Sequence, residues 1–160
     1  MTAQTGPLDV DAILAENAGA RAGLMAAIEA VLSDQRVASG VLDRWSLKDV
    51  MVHIAAWQEA PATVFGILGA GEELDPDFDT DEFNAEVVAE HADDGWDEVM
   101  AWLSRARDGY EQTAQEAVQR LSAEQTAAGG VVEGVLRSNG AAHDRERTAQ
   151  ILEWRKEQGL

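Results

Sequence analysis

Apolar positions in this chain recur at three- and four-residue spacing over long stretches, the period of helices that bury one face. Asp9 or Asp11 can cap a first helix running to about Ser33, with Leu14, Ala18, Met25, Ile28 and Leu32 on one stripe. Arg21 falls inside that stripe, either as a snorkelling side chain at its edge or as a cation aimed into a pocket. Val37 to Arg44 reads as a connection. Ser46, followed three residues later by Asp49, is a capping-box start for a second helix at Leu47. That helix runs to about Leu68, with Pro61 able to kink or interrupt it. Gly69 to Asp79, with two glycines, one proline and five acids, is a loop long enough to be a lid or rim. A shorter helix fits Thr80 to His91, with Phe83, Val87 and Val88 apolar, and Asp93-Asp94-Gly95 breaks it. A long helix from near Trp96 to about Leu121 carries Val99, Met100, Leu103, Ala106, Tyr110, Thr113, Ala117 and Leu121 on its stripe. Gly129-Gly130 opens a loose region in which Val131 to Leu136 is a short extended piece or a turn of helix. A last helix from Ser138 or Asn139 to about Glu157 sets His143, Arg147, Gln150, Ile151 and Trp154 on one side. No strand and no internal repeat stands out. The pattern predicts an all-α four-helix bundle with one short extra helix, a single domain over residues 1–160 with 1–8 as a disordered tail.

Composition narrows what such a bundle can do. The 160 residues include thirty acids against twelve bases, a net charge of −18, and no cysteine. A chain of this length buries enough surface to fold without staples. The missing cysteine removes disulfides, zinc–thiolate centres and a cysteine nucleophile. The acidity argues against nucleic acid and against anionic membrane surfaces, since both are bound through lysine and arginine. The basic residues near the end (Arg145, Arg147, Arg155 and Lys156) are diluted by acids and fit surface ion pairs. No run of about 18 apolar residues is present, and Met1 to Asp11 lacks the features of a signal peptide, so a soluble, cytoplasmic protein is expected.

Three histidines are the cheapest carriers of acid–base or metal chemistry: His53, His91 and His143. His53 shares a helical line with Asp49 at i−4 and Trp57 at i+4, on a face that also holds Val50 and Ile54. A satisfied core histidine and a functional one both fit that place. His143 falls in the first turn of the last helix, where the helix N-terminus disfavours the imidazolium form and leaves it neutral. An exposed or capping histidine fits there too. His91, beside two aspartates at the end of a short helix, reads as solvated.

The block Trp45-Ser46-Leu47-Lys48-Asp49-Val50-Met51-Val52-His53-Ile54-Ala55-Ala56-Trp57 resembles the second-helix signature of the DinB/YfiT-like superfamily. Asp81-Glu82-Phe83-Asn84-Ala85, Gly95-Trp96-Asp97-Glu98-Val99 and Asn139 to Arg147 with Gln150, Ile151 and Trp154 resemble a narrower branch, the ClbS/DfsB family. The resemblance spans about Leu8 to Trp154. It implies a DinB/YfiT-like four-helix bundle. In the wider superfamily it implies a divalent metal on three histidines, used to activate a thiol. The matching positions here are His53, His143 and Arg147, so the triad is incomplete. A guanidinium has no lone pair and its charge repels a dication. No cofactor is therefore expected; two histidines with water and Asp49 are the one remaining route to a divalent ion.

The ClbS/DfsB branch includes a self-resistance protein that opens an electrophilic cyclopropane on a genotoxin, using water and acid–base side chains without a metal. The resemblance thus implies a hydrolase or detoxification role on a small-molecule electrophile. His53 and His143 would handle protons, Asp49 or Glu146 would orient them, and Arg147 would stabilise developing negative charge. Trp57 and Trp154 would stack on a flat ligand with Asn84 beside them, although five tryptophans in a bundle this size also suit the core. The alternatives are a protein that sequesters a small hydrophobic ligand without chemistry, a metal- and thiol-dependent transferase, and a bundle that uses its apolar faces to self-associate. No nucleic acid or membrane partner is expected, and the chain is a monomer or a homodimer.

Overall fold

A computed structural model describes residues 6–160. In chain order these form α1 (Val10–Glu29), a 3-10 turn (Gln35–Val37), β1 (Ser39–Leu42) and β2 (Trp45–Ser46). There follow α2 (Leu47–Gly69), α3 (Thr80–Glu90), α4 (Trp96–Arg120), α5 (Val131–Asn139) and α6 (Ala141–Gln158). The fold is all-α apart from one small hairpin. α2 lies along α4 and α1 along α6, with α5 between α2 and α6. One end of the core gathers Leu24, Met51, Ile54, Leu103, Ile151 and Trp154; the other gathers Ile13, Phe65, Tyr110, Ala114 and Leu136.

Local chemistry explains most helix ends. The Asp9 carboxylate accepts the Ala12 N–H at 2.9 Å and starts α1. At α2 the Ser46 N–H and hydroxyl both donate to Asp49 Oδ2, and the Asp49 N–H donates back to Ser46 Oγ at 3.1 Å. The capping box read from the sequence is therefore formed. Pro61 sits within α2 without ending it. Lacking an N–H, it leaves the Trp57 carbonyl without its helical donor.

Four readings need correction. The buried stripe of α1 is Ile13, Ala20, Leu24, Ala27 and Ile28, continued by Val31, while Ala18 and Met25 face solvent and Leu32 is 63% exposed. The chain offers two overlapping stripes about one residue apart, and contact with α6 selects between them. The connection before α2 holds a hairpin that pairs Leu42 with Trp45 around Asp43, whose φ of 54° is tolerated by a short polar side chain. Its strands are too short to show a period of two. A second short helix, α5, occupies what read as a loose region, and α6 begins at Ala141. The break lies at Gly140, where the Asn17 side chain of α1 accepts the Ala141 N–H at 2.7 Å. Finally, Gly6 to Leu8 belong to the fold: Leu8 N–H donates to the Thr126 carbonyl, Ala128 N–H donates to the Gly6 carbonyl, and Pro7 bridges Ala127. The rest of the predicted tail, residues 1–5, lies outside the described residues.

Candidate functional site

α2 and α6 bring His53 and His143 together. Their Nε2 atoms are 2.8 Å apart, and both rings are buried, 2% and 9% exposed. The capped start of α2 points His53 inward, and the hairpin lays Trp45 against it, ring centroids 5.1 Å apart. α3 supplies Asn84, whose Oδ1 lies 3.0 Å from His53 Nδ1 and accepts the Trp57 indole N–H at 2.8 Å. An oxygen that accepts twice makes His53 Nδ1 the protonated nitrogen, so His53 Nε2 carries the lone pair. His143 then donates through Nε2–H, and its Nδ1 is a buried acceptor with no protein partner. Arg147 Nε stands 3.4 Å from His143 Nε2, while its Nη1 is held by Gln150 Oε1 at 2.8 Å.

This environment keeps the pair neutral. Burial, then the positive charges that His143 and Arg147 would oppose to it, pulls His53 down to about 3. Burial and Arg147 pull His143 down to about 4. The neutrality expected of His143 from its helix terminus thus has burial as its leading cause. Both imidazoles are weak bases, suited to passing a proton along the Nε2–H···Nε2 contact rather than holding one.

The donor set fits a tightly held dication poorly. It consists of two imidazoles, of which His53 spends its lone pair on the Nε2–H of His143, and Arg147 brings a fixed positive charge to the position of a third ligand. Among the described residues no group of three His, Asp or Glu side chains converges.

The space for a ligand lies beside the pair. A cleft of about 570 Å³ runs between α2, α3, α4 and the 70–79 loop. Trp57, Phe78, Phe83, Leu74, Ile67 and Val64 form its apolar wall. Trp57 is edge-on to Phe83 at 5.1 Å and to Phe78 at 6.4 Å. His53 and His143 do not line the cleft; Trp57 and Asn84 stand between it and them.

His91, read as solvated, is the histidine that does line the cleft. Its Nδ1 lies 2.6 Å from Asp94 Oδ2, and its ring stacks on Trp102 at 4.2 Å. The Trp102 indole N–H in turn donates to Glu59 Oε1 at 2.9 Å. Buried Lys48 fixes the turn beneath by donating to the carbonyls of Ala92 at 2.7 Å and Asp94 at 2.8 Å. The local string His91-Ala92-Asp93-Asp94 held the i,i+3 signal for this pairing; the stacking partner and the clamping lysine lie too far along the chain to be read.

The other expected residues scatter. The Asp49 carboxylate is engaged in the cap of α2. Glu146 is solvent-facing, 3.7 Å from Arg147. Trp154 is packed in the core, away from the cleft. Arg21 is partly buried near Glu111 at 3.8 Å. A second buried polar centre escaped the sequence reading altogether. Arg107 Nη2 donates to Asp144 Oδ2 at 2.9 Å inside the bundle. Burial lowers Arg107 to about 10 and raises the Asp144 carboxyl above its ordinary range despite the attraction of Arg107. Arg107 sits among the apolar positions of α4, and nothing in that pattern identifies its partner.

No family model matches the chain, and no curated protein matches it. Two solved structures share its fold. One is described as the sibling lethal factor precursor DfsB, with a TM-score of 0.72 at 15% identity, over 96% of this chain and 98% of that one. The other is an uncharacterised protein from Escherichia coli UTI89, with a TM-score of 0.70 at 11% identity, over 96% of each chain. The fold is thus DfsB-like.

Proposed function

We propose that this chain takes up a small hydrophobic electrophile in the α2–α3–α4 cleft and adds water to it without a metal, as the resemblance to ClbS/DfsB proteins implies. One observation carries this reading: Asn84 Oδ1 is shared by Trp57, which walls the cleft, and His53, which heads the imidazole pair. Displacement of Trp57 would open the cleft onto His53. Water oxygen would then bond to the electrophilic carbon and release a proton to the imidazole pair, whose open acceptor is His143 Nδ1 and whose Nε2–H can pass on to His53 Nε2. The electron pair of the opening carbon–carbon bond would move to the carbon next to a carbonyl, as an enolate. Arg147 would stabilise that charge, and the carbon would take the proton back from the imidazole. The low basicity of both imidazoles makes a relayed, short-lived proton the suitable role.

The depth of His53 favours a second reading, in which the cleft binds and sequesters its ligand and the pair is structural. A cyclopropyl ketone with an aromatic tail serves as probe for both. Binding is measured by calorimetry and the water adduct by mass spectrometry. His53→Ala is expected to retain binding and lose adduct formation. Binding by the unsubstituted protein with no adduct would establish sequestration instead. Absence of binding would remove both readings.

A further inference from the structure

Resting on the reading that the cleft is the ligand site, we infer that its ligand is a hydrophobic molecule bearing an organic ammonium group. Two independent features of the lining point there. The first is aromatic: Trp57, Phe78 and Phe83 cluster at one side, and Trp102 stands at the other. Aromatic π-systems attract a cation and give nothing comparable to an anion. The second is charge: Glu59, Asp75 and Glu90 are the carboxylates of the lining, and no lysine or arginine is among its residues.

The carboxylates of the lining outnumber the cations nearby: Arg105 shares a neighbouring pocket with Glu59, His91 and Trp102, but stands outside the lining of the cleft itself. From Glu72 to Glu98, which covers the loop, α3 and the start of α4, the chain holds no lysine or arginine. Glu59 is oriented by the Trp102 indole N–H, which takes Oε1 and leaves Oε2 for another donor. The histidine of the lining, His91, has its Nδ1 2.6 Å from Asp94 Oδ2. Apolar walls over about 570 Å³ exclude a bare hydrated ion and suit the body of an organic molecule. An anionic ligand would meet three like charges at the rim, and a neutral one would gain nothing from them. A hydrophobic amine satisfies both the walls and the rim.

Three probes of one shape test this by calorimetry at neutral pH and physiological salt: naphthylmethylamine, naphthylmethanol and naphthoate. The amine is expected to bind about tenfold more tightly than the alcohol, with naphthoate weakest. Glu59→Gln with Glu90→Gln should erase the preference for the amine and keep the affinity for the alcohol. Glutamine retains the acceptor that Trp102 uses, so the wall stays in place. Glu29→Gln with Glu124→Gln makes the same change of net charge outside the lining and should leave the preference intact. Equal affinity for amine and alcohol, or a preference that survives the cleft substitutions, would overturn the inference and leave the cleft as an apolar site. If none of the three binds, the cleft reading itself fails.

Discussion

Buried polar side chains bear the sharpest consequences at the scale of single residues. Arg107 and Asp144 form an ion pair with side chains 5% and 4% exposed. Removing one partner strands the other charge, so Arg107→Met is expected to cost about 3–5 kcal/mol by chemical denaturation. The double change Arg107→Met with Asp144→Leu should recover much of that loss, because neither charge then remains. His53 and His143 set the acid side of the stability profile. Their folded values, about 3 and about 4, lie below the ordinary 6.5, so the unfolded chain binds the extra protons. Their contribution is full above about pH 6.5 and is lost as pH falls toward 4. Denaturation midpoints should therefore drop across that window. Nitrogen NMR shifts should show His53 protonated on Nδ1 and His143 on Nε2 while the fold persists.

Joints between elements are held by single hydrogen-bonding side chains, and each can be cut. Ser46→Ala removes the cap of α2 and the support for the hairpin side of His53; a loss of about 1 kcal/mol is expected from thermal or chemical unfolding. Gly140 is a tighter case. A Cβ there would come 2.5 Å from Asn17 Oδ1 and 2.8 Å from the Leu136 carbonyl. Gly140→Ala is therefore expected to cost about 1–3 kcal/mol and to displace Asn17 from the Ala141 N–H. Hydrogen exchange at the start of α6 should rise with it, since that cap arrives from another helix. The sequence places this boundary two or three residues early, at Ser138 or Asn139, because the side chain that fixes it, Asn17, arrives from α1.

Across the whole molecule the acidic exterior opposes compaction. A net charge of −18 repels itself, and the exposed ion pairs return little. Added sodium chloride should screen that repulsion and raise Tm by several degrees in a thermal scan. A fall in Tm with salt would show that the surface pairs outweigh it. The same charge surrounds an apolar cleft, and this combination frames the question of function. No helix among the described residues is long and apolar enough to cross a membrane. The site elements come from α2, α3, α4 and α6 together, so the relation of cleft to imidazole pair exists only in the assembled bundle.

Periodicity, capping residues and breakers were enough for the all-α class, the ends of α2, α3 and α4, and the pairing of Ser46 with Asp49. These are local signals, set by neighbours three or four residues away, and local physics reads them directly. The choice of buried face on α1 was not local, because two stripes of similar apolarity compete until α6 packs. His53 and His143 could be singled out by type and spacing, yet their 2.8 Å approach across ninety positions of chain required the tertiary fold. So did the separation of that pair from the cleft by Trp57 and Asn84, and the placing of His91 on the cleft wall. A one-dimensional pattern records which face a residue occupies along its own helix. Which other face it meets depends on packing free energy summed over the bundle, and that is where the site is made.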